Sequence, residues 1–225
     1  KRKHLQDTFS FSMMYFYDEK FMLPLSHDEV VHGKSPMIYK MPGFEWEKFA
    51  NLRLLYTYMY THPGTKMLFM GNEFGSTREW NYQSELPWNL LQFAPHAGMK
   101  ACVSQLNALY RSEPALYEKQ FEPGGFEWVD LQHRSECVIV YSRKGKKSKD
   151  QLLILLNVTP VVRKDWEVYV YGKAKWKEIF NSNAKEFWGT GDVYNPSIKV
   201  QLVDKKTQCY KLIVHLPALS AVVLK

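Results

Sequence analysis

The chain has 225 residues, of which 45% are hydrophobic and 15% aromatic, and its formal net charge is +7. This length accommodates one large domain or two smaller ones with a substantial core. Three widely separated cysteines exclude a disulfide framework and a cysteine-based metal site, a pattern typical of a reducing cytoplasm. Because no signal peptide and no apolar run of membrane-spanning length is apparent, we predict a cytoplasmic protein without a membrane partner.

Segments of helical and strand character alternate before residue 116. The helical segments are Leu5–Tyr17, 44–61 and Met99–Tyr110, and the strand-like runs are 21–25 and 66–70. Each strand-like run is followed by a polar loop, and this order predicts a parallel α/β layer. Two parallel strands cannot by themselves form a sheet that is buried on both faces. We therefore interpret residues 1–116 as the end of a (β/α) barrel.

Short runs rich in β-branched and aromatic residues dominate the chain after residue 116. They are Phe126–Val129, Cys137–Tyr141, Leu152–Leu156, Trp166–Val170, Trp176–Phe180, Ile198–Leu202, Tyr210–Leu216 and Ala221–Leu224. Turn residues separate them, and no long helical period intervenes. Residues 117–225 are therefore predicted to form an antiparallel β-sandwich of about seven or eight strands.

Most of the positive charge also lies after residue 116. Its densest cluster is Arg143, Lys144, Lys146, Lys147 and Lys149. A basic cluster can indicate a nucleic-acid site. Here it separates two apolar strand-like runs, so we interpret it as a solvated hairpin loop and predict no nucleic-acid partner.

The first candidate for chemistry follows the run 21–25, which ends abruptly at His27 and Asp28. A buried strand that ends in acids and imidazoles is typical of the catalytic face of a barrel. Cleavage of a glycosidic bond needs two carboxyl groups, and a further acid with a neighbouring histidine can hold the sugar. The alternative is structural, because Ser26-x-x-Glu29 matches a capping box that begins a helix. The residue types alone leave both interpretations open.

Other polar residues near these loops have two interpretations each. His32 and Lys34 follow the acid closely and are candidate substrate contacts. Arg78, Glu79, Trp80 and Asn81 lie in the loop after the second run and belong either to a glucan subsite or to a lid. Glu73, at the end of that run, could face a ligand, but we favour a structural role. The histidines and aspartate of the first loop lack a second ligand cluster, so we predict no metal and no cofactor.

Residues 23–34, Leu-Pro-Leu-Ser-His-Asp-Glu-Val-Val-His-Gly-Lys, closely resemble bacterial 1,4-α-glucan (glycogen) branching enzymes of the α-amylase superfamily, glycoside hydrolase family 13. The similarity continues through 41–43, 49–53, 68–74, 78–81, 125–130 and 157–161. This resemblance implies that residues 1–116 are the C-terminal portion of a (β/α)8 TIM barrel, with strands 7 and 8 and helices 6 to 8. It implies that residues 117–225 are the family's C-terminal β-sandwich domain.

The resemblance also implies roles for the site residues. Asp28 would be the transition-state stabiliser and His27 would bind a sugar hydroxyl. The expected substrate-binding residues are His27, His32, Lys34, Arg78 and Trp80. No segment here resembles the family's nucleophile or acid/base motif, so we expect this chain alone to be inactive.

The implied parent is a retaining glycosyltransferase of glycogen biosynthesis. It would cleave α-1,4-glucosidic bonds and transfer the oligoglucan to a C6 hydroxyl, which creates α-1,6 branches. We expect a monomeric parent whose partner is α-1,4-glucan or glycogen.

Two alternatives stay open at this point. The first is a fragment of an α-glucan hydrolase from the same superfamily. The second is a non-enzymatic glucan-binding module built on residues 117–225. Its candidate aromatic residues are Trp128, Trp166, Trp176 and Trp188. For these tryptophans we favour a role in the core.

Overall fold

The computed structural model of the chain describes residues 6–225. The first half contains α1 (Gln6–Phe11), β1 (Met22–Leu25), α2 (Met37–Lys40), α3 (Glu45–Thr61), β2 (Thr65–Leu68) and α4 (Ala94–Ser112). The predicted alternation of helices and strands is therefore confirmed. Leu5, where the first predicted helix begins, lies outside the described residues. That helix is shorter than predicted, since α1 ends at Phe11 and a 3-10 turn follows over Ser12–Met14.

β1 and β2 pair in parallel, with Met22 opposite Thr65 and Leu25 opposite Leu68. Parallel strands need a crossover between them, and α3 provides it. Both strands end at the same edge of the sheet, so the loops that follow them start side by side. A closed barrel is not formed within residues 6–225.

The second half contains only strands and one-turn 3-10 helices. The strands are β3 (Phe126–Asp130), β4 (Val138–Lys144), β5 (Gln151–Asn157), β6 (Arg163–Tyr171), β7 (Glu178–Asn181), β8 (Lys199–Asp204), β9 (Cys209–Leu216) and β10 (Ser220–Leu224). Each of the eight predicted runs corresponds to one of them. Within the described chain they form a five-stranded sheet, β3-β4-β5-β10-β7, and a three-stranded sheet, β6-β9-β8.

The five-stranded sheet is covered on both faces. In β5, Ile154 packs into the core that it shares with α3 and α4, whereas Leu155 packs against the three-stranded sheet. Strands buried on both faces have continuous apolar sequences, and β5 and β10 show this pattern without alternation. The helical half and the sandwich therefore share one core.

Arg143 of β4 belongs to this shared core, and its side chain is fully buried. Its guanidinium donates hydrogen bonds to the carbonyls of Gly125 (3.1 Å), Leu116 (3.0 Å) and Thr61 (2.6 Å). The prediction that Arg143 is part of a solvated basic loop was wrong. Arg143 follows Tyr141 by two positions and so lies on the same, helix-facing side of β4, and this position decides its burial. Lys146, Lys147 and Lys149 in the β4–β5 turn are exposed, as predicted, and Lys144 is half-buried.

The four tryptophans of the second half are buried or partly buried. The Trp128 ring lies 4.7 Å from the Phe126 ring, and the Trp188 ring lies 5.5 Å from that of Phe49. The preference for core roles is confirmed by these contacts. The three cysteines are free and buried. Within residues 6–225, none of the helices has the length and apolar character needed to cross a bilayer.

Candidate functional site

The segment after β1 turns sharply as soon as the strand ends. His27, Asp28 and Glu29 form one turn of 3-10 helix, and the Ser26 hydroxyl caps it by accepting the Asp28 backbone N–H at 3.3 Å. The Glu29 carboxylate pairs with Lys40 at 3.2 Å. Ser26 thus acts as the cap that the alternative predicted, but it begins a 3-10 turn, and Glu29 pairs with Lys40 instead of completing the capping box. This cap does not compete with a ligand role, because the turn leaves the Asp28 side chain 77% exposed.

His27 and Asp28 form a pair at the start of this turn. His27 Nε2 lies 3.2 Å from Asp28 Oδ1, and the imidazole is 53% exposed. The carboxylate therefore has an oriented neighbour and free access to solvent. Such a pair can accept and donate hydrogen bonds to the hydroxyl groups of one ligand.

The loop after β2 runs alongside the loop after β1. The backbone N–H of Trp80 donates to the Val30 carbonyl at 2.8 Å, and a parallel β-bridge pairs Val31 with Trp80. The Trp80 ring lies 5.1 Å from the Phe69 ring and 6.4 Å from the His27 ring. The structure therefore brings together His27 and Trp80, which are separated in sequence by α2, α3 and β2.

Glu79 ties the two loops together. Its carboxylate accepts the backbone N–H groups of Ser35 (2.9 Å) and Gly33 (3.1 Å), and it lies 3.5 Å from His32 Nδ1. The backbone N–H groups of Ser35 and Gly33 lower the pKa of Glu79. Gly33 has φ +81° and Ser35 φ +66°, so the segment that meets the carboxylate is tightly turned. The sequence placed Glu79 in a loop that is either a glucan subsite or a lid, but it did not predict this link to the first loop, because Gly33 and Ser35 lie more than forty positions away.

The remaining predicted residues are distributed around these loops. Arg78 is exposed, and its backbone is fixed by the Ser76 hydroxyl, which accepts from the Arg78 N–H and donates to the Arg78 carbonyl. Lys34 is exposed and its N–H donates to the Val31 carbonyl at 2.9 Å. The Glu73 carboxylate accepts the Gly71 N–H at 2.8 Å, which agrees with the structural role favoured for it. No group of three metal-ligating side chains occurs in the described part of the chain.

The class of protein follows from the architecture of the second half. Residues 128–225 match the family described as the alpha amylase C-terminal all-beta domain. Among solved structures, an alpha-amylase from H. orenii superimposes with a TM-score of 0.51 at 14% identity, over 88% of this chain and 38% of that one. A debranching enzyme from Nostoc punctiforme gives a TM-score of 0.57 at 15% identity, over 86% of this chain and 33% of that one. These two similarities concern the fold alone.

The particular relatives are much closer in sequence. The 1,4-alpha-glucan branching enzyme GlgB of Aquifex aeolicus is 46% identical over all of this chain, which covers 36% of that protein. The corresponding enzymes of Cellvibrio japonicus and Halothermothrix orenii are 44% and 42% identical over all of this chain, which covers 30% and 36% of them. Over its whole length this chain is therefore similar to the C-terminal part of 1,4-alpha-glucan branching enzymes. It spans about a third of their length, and neither alternative from the sequence analysis is favoured by these matches.

Proposed function

We propose that this chain is the C-terminal part of a longer 1,4-α-glucan branching enzyme. The longer enzyme cleaves an α-1,4-glucosidic bond and transfers the released oligoglucan to the C6 hydroxyl of a glucan chain. The proposal rests on the identity of 42–46% across the whole chain, together with the exposed His27–Asp28 pair at the end of a parallel strand. The expected substrate is α-1,4-glucan, and the expected product is branched glycogen.

The first half then belongs to the TIM barrel of that enzyme, with β1 as strand seven and β2 as strand eight. Among the described strands, β1 pairs with β2 alone. Beside β1 lies an apolar cleft of about 460 Å³ lined in part by Phe9, Leu23 and Leu55. A further parallel strand and its helix would cover this surface, as parallel sheets require. Residues 1–116 would end the barrel, and 117–225 would form the C-terminal domain.

The mechanism is a retaining double displacement. The nucleophilic aspartate and the acid/base glutamate come from the rest of the enzyme. The acid protonates the leaving glycosidic oxygen while the nucleophile attacks the anomeric carbon and forms a covalent glucosyl-enzyme. The resulting carboxylate base then takes the proton of an incoming C6 hydroxyl, whose oxygen displaces the enzyme and forms the α-1,6 bond.

Asp28 supports both displacements without forming a bond to the sugar. Its carboxylate stabilises the positive charge that develops on the sugar ring in each transition state and binds the ring hydroxyls as the ring distorts. His27, 3.2 Å away, donates to a hydroxyl of the same sugar. His32, Lys34, Arg78 and Trp80 contact the glucan on either side.

The test uses the intact enzyme on amylose. Branching shortens the linear runs, so iodine absorbance falls and α-1,6 bonds appear, while the number of reducing ends stays constant. Hydrolysis instead creates one new reducing end at each cleavage. Reducing ends that increase in step with the loss of iodine absorbance would contradict the proposal. The 225-residue chain alone should show neither activity.

A further inference from the structure

A second cleft lies beside the His27–Asp28 turn, between the loops that follow β1 and β2. It encloses about 520 Å³, which is within the range of small-ligand sites. Its lining residues are Val31, His32, Glu79, Trp80, Asn81 and Tyr82. The Trp80 ring contacts the His27 ring and also borders this cleft. A polymer bound across Trp80 would therefore reach both the cleft and Asp28.

The walls of the cleft are held together by hydrogen bonds. Glu79, in the wall formed by the second loop, accepts the N–H groups of Gly33 and Ser35 in the first loop. The parallel bridge between Val31 and Trp80 joins the same two walls at their base. Loops held together in this way present a preorganised surface, which lowers the entropic cost of binding a ligand.

The chemistry of the lining residues fits a sugar. Tyr82 is 79% exposed, although burying an aromatic ring of this size would be favourable. The C–H face of a pyranose is apolar and packs on such a ring. The imidazole of His32 and the amide of Asn81 stand beside it as partners for hydroxyl groups. The Asn81 side chain is held by accepting the Gln83 N–H at 2.9 Å.

We propose that this cleft is a glucan subsite in which Tyr82 stacks on a glucose unit and Glu79 is a positioning residue that fixes the two walls. The proposal rests on the proposed branching function, because it assigns the cleft to the same α-1,4-glucan that reaches Asp28. It adds Tyr82 to the residues that meet the substrate, and it gives Glu79, in a loop that the sequence left open as subsite or lid, the role of joining the two walls.

The stacking role is tested in the intact enzyme by Tyr82→Ala and Tyr82→Phe. Tyr82→Ala should raise KM for amylose roughly five- to tenfold and leave kcat within about twofold, since it removes binding energy that is similar before and in the transition state. Tyr82→Phe keeps the ring and should restore KM. The matched control is Tyr171→Ala, which removes a ring that is 62% exposed on β6. An unchanged KM in Tyr82→Ala, or an equal rise in Tyr171→Ala, would overturn the subsite.

Binding without turnover separates this proposal from the branching function. Migration of the intact enzyme through a gel that contains amylose reports glucan affinity directly. Weaker retardation of Tyr82→Ala than of the wild type and Tyr171→Ala supports the subsite even if the wild-type enzyme proves to be a hydrolase. Equal retardation of all three refutes the subsite even if the enzyme branches glucan.

The positioning role of Glu79 is tested by Glu79→Ala and Glu79→Gln. Glu79→Ala removes the acceptor for two backbone N–H groups, so KM should increase at least as much as in Tyr82→Ala. Glu79→Gln retains one carbonyl acceptor and should recover part of the affinity. Thermal unfolding identifies any general loss of structure. A Glu79→Ala enzyme of unchanged KM, or one whose KM is not improved by Glu79→Gln at equal thermal stability, would show that Glu79 does not position the subsite.

Discussion

The Arg143 guanidinium donates a 2.6 Å hydrogen bond to the Thr61 carbonyl, which lies 82 positions earlier in the chain. Thr61 is the last residue of α3, where the helix carbonyls carry partial negative charge and lack intrahelical partners. Arg143 of β4 therefore provides a hydrogen-bond donor and a positive charge for a free carbonyl at the C-terminus of α3. It thereby adds a polar link between the helical half and the sandwich to the core that they share.

Arg143→Met should destabilise the protein by about 3 kcal/mol, because it leaves the buried carbonyls of Gly125, Leu116 and Thr61 without this donor. Chemical denaturation of the intact protein measures the loss. Lys146→Met is the matched control, since Lys146 is exposed in the adjacent turn and should change stability by less than about 0.5 kcal/mol. Equal effects of the two substitutions would contradict the assigned role of Arg143.

His62 gives the fold a dependence on pH. The pKa of His62 is lowered from its ordinary value of 6.5 to about 4. Burial is the largest cause, the hydrogen bond to the Pro63 carbonyl opposes it, and the charges of Lys66 and Arg143 add to the lowering. Its ring nitrogens meet the Pro63 carbonyl (2.8 Å) and the Ser12 hydroxyl (3.1 Å). Between pH 6.5 and 4 the unfolded chain therefore binds a proton that the folded chain does not, so stability falls as pH falls.

The expected loss between pH 7 and pH 5 is about 2 kcal/mol from this histidine. Urea unfolding at pH 7, 6 and 5 should show it as a falling midpoint. His62→Gln should lower stability at pH 7 and flatten the dependence over this range. His32→Gln, which removes a fully exposed imidazole, should leave the slope unchanged. A His62→Gln slope equal to that of the wild type would exclude His62 as its source.

Ile154→Ala should weaken both halves of the molecule. Its side chain lies fully buried between β5 and the helices, and a truncation of this kind costs roughly 2–4 kcal/mol. Amide hydrogen exchange should therefore accelerate in α3 as well as in β5. Leu202→Ala removes an apolar side chain that is half exposed on β8 and should have little effect on α3. Unchanged exchange in α3 after Ile154→Ala would mean that the two halves are not energetically coupled.

Asp28→Asn should lower kcat of the intact enzyme by at least about a hundredfold, because the neutral amide cannot stabilise the positive charge on the sugar. The melting temperature should stay the same, since the Asp28 side chain is largely in solvent. Glu29→Gln removes a neighbouring carboxylate that pairs with Lys40 and should retain most of the activity. Full branching activity in Asp28→Asn would remove Asp28 from the mechanism.

Local sequence patterns were sufficient to predict most elements of the fold. Runs of β-branched and aromatic residues separated by turn residues identified all eight strands of the sandwich, because strand formation follows the period and composition of a short segment. The order helix, strand, loop likewise predicted that the loops after β1 and β2 meet, and the contact between the rings of His27 and Trp80 shows that they do.

The parts that sequence reasoning missed depend on contacts between distant residues. The composition of the β4–β5 region labelled Arg143 as a surface charge, whereas its carbonyl partners come from three separate segments. Glu79 resembles any loop acid until Gly33 and Ser35 are folded against it. The apolar run at residues 21–25 predicted β1 correctly. The helix α1 ends earlier than its apolar spacing indicated, because a 3-10 turn begins at Ser12.

The double coverage of the five-stranded sheet also limits how this protein can change in length. Successive residues of β5 face different layers, so a single deletion within the strand would exchange Ile154 and Leu155 between the helices and the second sheet. A single deletion in β4 would likewise point the Arg143 side chain into the apolar space between the two sheets. Insertions and deletions in related proteins should therefore be confined to turns such as 145–150, whereas substitutions within these strands must suit two neighbouring layers at once.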